Sequence, residues 1–113
     1  MKFEFCGRMD CPEWVISEYR LIAKLSVSQL QNIIGSTEGT EKMLMECDNL
    51  TQDESFVIIA LLEYFLHSAI KYEVDESVYE NELLQLGIPQ EHVNVMVKAH
   101  RRFKEEITEK LRD

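Results

Sequence analysis

Proline and glycine are scarce in this chain: 113 residues hold two prolines and four glycines. They stand singly between apolar periodic segments rather than gathering into a linker, which excludes a loop-rich architecture and favours helices. Basic residues are also few. Twelve Lys and Arg face 21 Asp and Glu, a formal net charge of -9, so the basic stripe that phosphate contacts on nucleic acid require is missing, and anionic membrane surfaces are poor partners as well. The longest uninterrupted apolar run, Phe56 to Leu62 closed by Glu63, is far short of the roughly 20 residues of a spanning helix. An acid at position 4 and the lack of a following apolar segment argue against a secretory leader. Three cysteines, Cys6, Cys11 and Cys47, are an odd number, and a chain that is 45% apolar does not need disulfides to fold, so a reducing compartment is expected.

What is present reads as one all-α domain, since two domains would each have too little core. Residues 1–7 alternate, with Phe3 and Phe5 on one side, and suggest a short, unpaired extended arm across the core. Pro12 opens a first helix over about 12–24, with Asp10 or Cys11 as its cap. Ser26-Val-Ser-Gln29 and Thr51-Gln-Asp-Glu54 have the form of capping boxes, starting helices that run to Gly35 and to about residue 72. Between them Thr40 caps a two-turn helix over about 40–47. The segment at about 52–72 is apolar on nearly every face, which predicts a buried central helix around which the others pack. Asp75 caps the next helix, Gly87 with Ile88 stops it, and Pro89 starts the last. That last helix carries Val93, Met96, Val97, His100, Phe103, Ile107 and Leu111 at steps of three and four. The expectation is a compact bundle of about six helices.

Candidate chemistry is thin. Cys6 and Cys11, with Cys47 or one of His67, His92 and His100, could build a small metal-binding regulatory domain, but structural zinc usually shows paired C-x2-C ligands and no second pair exists here. Buried free thiols and a satisfied core His67 are the plainer reading. No G-x-S-x-G elbow, P-loop or EF-hand run occurs, and many of the carboxylates fall at helix ends, so no enzyme and no cofactor are expected. His100-Arg101-Arg102-Phe103-Lys104 is the one basic cluster; running on into Glu105 and Glu106, it reads as an i, i+4 ion-pair face. Phe3, Phe5 and Trp14 are the densest aromatic group outside the central segment. They either staple the N-terminal arm to the domain or bind a partner protein.

Met1-Lys-Phe-Glu-Phe-Cys-Gly7, Asp10-Cys-Pro-Glu-Trp-Val15, Ala23-Lys24 with Ser26, and Glu82-Leu-Leu-Gln-Leu-Gly-Ile-Pro-Gln-Glu-His92 together resemble the COMM domain-containing family. The similarity runs through essentially the whole chain and is looser from Gly35 to Asp53. It implies that residues 1–113 are the family's helical N-terminal domain and that the C-terminal COMM domain, through which members pair, is absent from this chain. It further implies a non-enzymatic scaffold subunit of the Commander complex, with other COMM-family proteins and coiled-coil subunits as partners. Support of endosomal cargo recycling, regulation of NF-κB signalling and ubiquitin ligases, and a cytoplasmic, endosome-associated and nuclear localisation belong to the same resemblance. Copper is not carried over, because no ligand set in this sequence supports it.

Overall fold

A computed structural model describes residues 2–35 and 50–112, with side-chain surroundings for 2–34 and 50–106. The chain opens with a miniature hairpin. Strand β1 (Lys2–Phe3) pairs antiparallel with β2 (Met9–Asp10), Lys2 opposite Asp10 and Phe3 opposite Met9. The arm is therefore paired, not merely extended as the alternation suggested. The pairing comes from what lies between the strands: Glu4–Cys6 winds into a 3-10 turn, and Gly7 and Arg8 then take positive φ values of 71° and 66°. Gly7 suits that conformation on two counts, because a Cβ there would also stand 2.8 Å from the Tyr72 ring.

Helix α1 (Glu13–Glu18) is shorter than expected, and Tyr19–Lys24 continues as a 3-10 helix. The tighter winding stacks residues three apart, which turns both Ile22 and Leu25 into the core. Neither Asp10 nor Cys11 caps α1. Pro12 does, its carbonyl accepting from the Val15 and Ile16 amides at 3.0 and 3.2 Å. Helix α2 (Val27–Gly35) starts with the anticipated box, Gln29 N–H donating to Ser26 Oγ at 3.1 Å and Ser26 N–H to Gln29 Oε1 at 2.9 Å.

Helix α3 (Gln52–Lys71) starts with the second box, at 3.1 Å from Glu54 N–H to Thr51 Oγ1 and 3.0 Å in return. The adjacent Lys24 ammonium, 2.6 Å from Glu54, holds that carboxyl below its usual range. The helix is not buried all round. Ser55, Ile58, Leu61, Leu62, Phe65, Leu66 and Ala69 face the core, whereas Phe56 is 45% exposed and Ala60 and Glu63 are open to solvent. Its neighbours are the N-terminal turn, α1 with its 3-10 extension, and the last helix, which cover part of its circumference.

Helix α4 (Glu76–Leu86) has Asp75 at its cap position, but the Asp75 side chain makes no capping bond. Its end is as expected. Gly87 at φ 120° lets Ile88 N–H reach the Leu83 carbonyl at 3.2 Å, and Ile88 packs into the core. Helix α5 (Gln90–Arg112) follows directly and packs on α2, α3 and α4, sharing with α3 the central place assigned to residues 52–72 alone. The architecture is all-α, with five helices among the described residues; the helix expected over about 40–47 lies outside them, as do the side chains of Ile107 and Leu111. No described helix is long and apolar enough to cross a membrane.

Candidate interaction surface and a buried cysteine pair

The N-terminal turn is held from below by one carboxylate. Glu82, on α4 and only 9% exposed, accepts the backbone N–H of Glu4 at 2.7 Å and of Phe5 at 3.2 Å. This acts as a helix cap supplied from a distant element, satisfying amides that a short turn leaves orphaned. Thus anchored, Phe5 enters an aromatic nest, its ring centroid 5.2 Å from Phe3, 5.6 Å from Phe65 and 6.2 Å from Tyr79. Phe3 and Phe5 are both core residues. Their expected contribution to a partner-binding surface is thereby corrected, since a partner cannot reach them while the hairpin is closed.

Trp14 is different. It stands edge-on to Tyr64 at 5.8 Å and remains 42% exposed. Met9 and Ile16 are exposed too, so residues 9–16 present three large apolar side chains outward on an acidic domain. Beneath Trp14, Tyr64 Oη donates to Cys6 Sγ at 3.3 Å, and the Cys6 and Cys11 sulfurs lie 2.9 Å apart. Burial, helped by the Cys6 contact, pushes the Cys11 thiol far above its ordinary value. Burial likewise raises the Tyr64 phenol. Neither is an activated nucleophile at neutral pH.

The histidines do not join the cysteines. His67 points to solvent and is not a core residue. His92 donates its Nε2 proton to the Leu25 carbonyl at 2.6 Å, tying α5 to the end of the 3-10 segment. His100 is buried against the Tyr79 ring at 4.8 Å, and neither ring nitrogen has a hydrogen-bond partner. Among the described residues no set of three His, Cys, Asp or Glu side chains could hold an ion, so the metal reading built on Cys6, Cys11 and a histidine is set aside; Cys47 lies outside the described residues. The basic cluster is also used differently from expectation. Arg101 pairs across to Glu76 of α4, and Arg102 donates to the Ile34 carbonyl of α2 at 3.1 Å; both link helices instead of lining one.

His100 makes stability depend on pH. Burial, with Lys104 adding and Glu76 opposing, lowers its imidazole below the ordinary value. The unfolded chain then takes up a proton that the native fold resists, so stability is lost as pH falls through the unfolded value of about 6.5 toward the native one. A His100→Phe variant, which keeps the ring packing, is expected to flatten the decline of melting temperature below pH 6.5; an unchanged acid limb would assign the effect to other groups.

Sequence reasoning missed Glu82. The signal was there: Tyr79, Glu82, Leu83 and Leu86 follow the i, i+3, i+4, i+7 spacing of a buried stripe, which puts a carboxylate on the core side of α4.

The motifs that carry the resemblance can now be placed. The N-terminal hairpin and the α4–α5 turn at Gly87 are its two ends. The profile described as COMMD2-7/10, HN domain matches residues 9–100. The chain belongs to the COMM domain-containing family. COMM domain-containing protein 4 of Dictyostelium discoideum is 30% identical over 90 residues, a stretch covering 74% of this chain and 51% of the relative. The chain thus spans about half the length of that curated relative. The matched HN region takes in β2, α1 to α4, the exposed Met9, Trp14 and Ile16 and α5 as far as His100, while the first strand and its turn precede it.

Proposed function

We propose that this HN domain is a non-enzymatic protein-interaction module of a scaffold subunit in the Commander complex, supporting endosomal cargo recycling and, through the same assembly, regulation of NF-κB signalling and ubiquitin ligases. Its place of action is the cytoplasm, at endosomes and in the nucleus. Coiled-coil subunits are the partners assigned to this domain, and other COMM-family proteins are partners of the COMM domain that the family adds C-terminally. Family membership supports the interaction role. The observation that carries the choice of surface is Trp14, held edge-on over Tyr64 and still 42% exposed. Exposed aromatics of this kind are the usual anchors of protein interfaces. The formal charge of -9 favours a partner with a basic rim and speeds its encounter.

The test is capture from cell lysate, read by mass spectrometry, with the native chain, the Trp14→Ala variant and the chain extended through a COMM domain. Trp14→Ala is expected to lower recovery of coiled-coil partners about tenfold or more, while helicity and melting temperature stay close to native, as for a surface truncation. The extended form is expected to add COMM-family proteins. Undiminished capture by Trp14→Ala would move the surface elsewhere, and collapse of helicity would make Trp14 a structural staple.

A further inference from the structure

Cys6 and Cys11 are not used by the interaction role, and their geometry is specific. Cys6 ends the 3-10 turn and Cys11 follows β2, so the pairing of Lys2 with Asp10 and Phe3 with Met9 fixes the two positions relative to each other. Their sulfurs stand 2.9 Å apart, and a disulfide needs them only about 0.9 Å closer. No third ligand joins them among the described residues, which leaves sulfur–sulfur chemistry as what the pair can do. We propose that Cys6 and Cys11 form a dithiol–disulfide switch that takes low-molecular-weight disulfides, such as oxidised glutathione, as oxidant and locks the N-terminal hairpin when closed.

Access sets the order of events. Cys11 lines a solvent-open depression of about 340 Å³ with Phe3, Asp10, Ile16 and Tyr19, whereas Cys6 sits under the Tyr64 hydroxyl. The Cys11 thiolate attacks one sulfur of oxidised glutathione. That disulfide breaks, a Cys11–glutathione bond forms, and the departing thiolate takes up a proton. Cys6, already 2.9 Å from it, then attacks the Cys11 sulfur and gives up its proton as the new bond forms. The second glutathione leaves and is protonated in turn. Two protein thiols are oxidised, one glutathione disulfide is reduced to two thiols, and the two protein protons end on them. Burial of Cys11 makes the first step slow at neutral pH, because only the thiolate attacks. Tyr64 touches both Cys6 and Trp14, which places the switch directly beneath the exposed aromatic.

The experiment equilibrates the full chain in glutathione buffers stepped from reduced to oxidised, traps free thiols, and digests with trypsin. Cleavage after Lys2, Arg8 and Arg20 separates the two cysteines, so closure yields residues 3–8 covalently linked to residues 9–20. The linked pair is expected to appear as the buffer becomes oxidising and to vanish on reduction. With it the melting temperature should rise by about 5 to 10 °C, the effect of closing so short a loop. Cys47→Ser should keep both changes and Cys11→Ser lose both; the peptide readout uses the unaltered sequence and does not depend on either variant folding. The proposal is overturned if glutathione remains on either cysteine without the linked pair, if Cys6 or Cys11 joins Cys47 instead, or if the folded chain stays reduced in a buffer that oxidises it when unfolded.

Discussion

Glu82→Ala is expected to cost about 3 kcal/mol and to free the N-terminal hairpin before the rest of the domain melts. The carboxylate accepts two backbone amides, at 2.7 and 3.2 Å, from the turn at Glu4 and Phe5. Bonds to a charged acceptor contribute roughly 1.5 to 3 kcal/mol each, and a buried amide left without an acceptor costs about 1 to 3 kcal/mol. The loss is partly offset, because a buried charge no longer has to be desolvated and water can reach the Glu4 amide, which is why the sum is not doubled. Glu82→Gln keeps one acceptor oxygen and should cost about 1 kcal/mol. Urea denaturation gives the totals, and amide hydrogen exchange gives the location: Phe5 N–H should lose protection in Glu82→Ala and largely keep it in Glu82→Gln, while Leu61 and Met96 in the core change only with global stability. Were Glu82→Ala to cost under 1 kcal/mol with Phe5 still protected, aromatic packing alone would be holding the turn.

The same residue shows where the sequence is legible and where it is not. Capping boxes at Ser26 and Thr51 and the glycine stop at Gly87 are local, so they can be read from three or four neighbouring residues, and each is found in place. Long-range choices are not local. Phe56 and Phe65 lie in one apolar helix, yet one is 45% exposed and the other buried, because the neighbours of α3 cover only part of it. The hairpin depends on Gly7 and Arg8 entering the left-handed region, a requirement that an arginine does not announce. The stripe spacing puts Glu82 on the core side of α4, but nothing local names the turn it caps, 77 residues away. At the candidate surface the aromatics Phe3, Phe5 and Trp14 could be grouped from sequence, but only the fold divides them into two core residues and one exposed one.

Phe5→Ala is expected to be the most damaging single change in the N-terminal region, at about 3 to 5 kcal/mol, the range for truncating a fully buried phenylalanine. Phe5 has no exposed surface and its ring meets Phe3, Phe65 and Tyr79 within 6.2 Å, so the cavity would open at the junction of the hairpin, α3 and α4. Marginal domain stability makes such a loss visible as a fall in melting temperature of roughly 10 to 25 °C. Phe5 and Glu82 hold the same turn, one by its side chain and one through the backbone amide of that very residue. Once either is gone the turn is already loose, so the double variant should cost at least 1 kcal/mol less than the sum of the singles. Strict additivity in that cycle would mean that the ring packs into the core without help from the carboxylate, and Glu82 would then anchor only the Glu4 end of the turn. Sub-additivity would make the hairpin one cooperative unit, the condition under which a bond between Cys6 and Cys11 at its base can stabilise the whole of it.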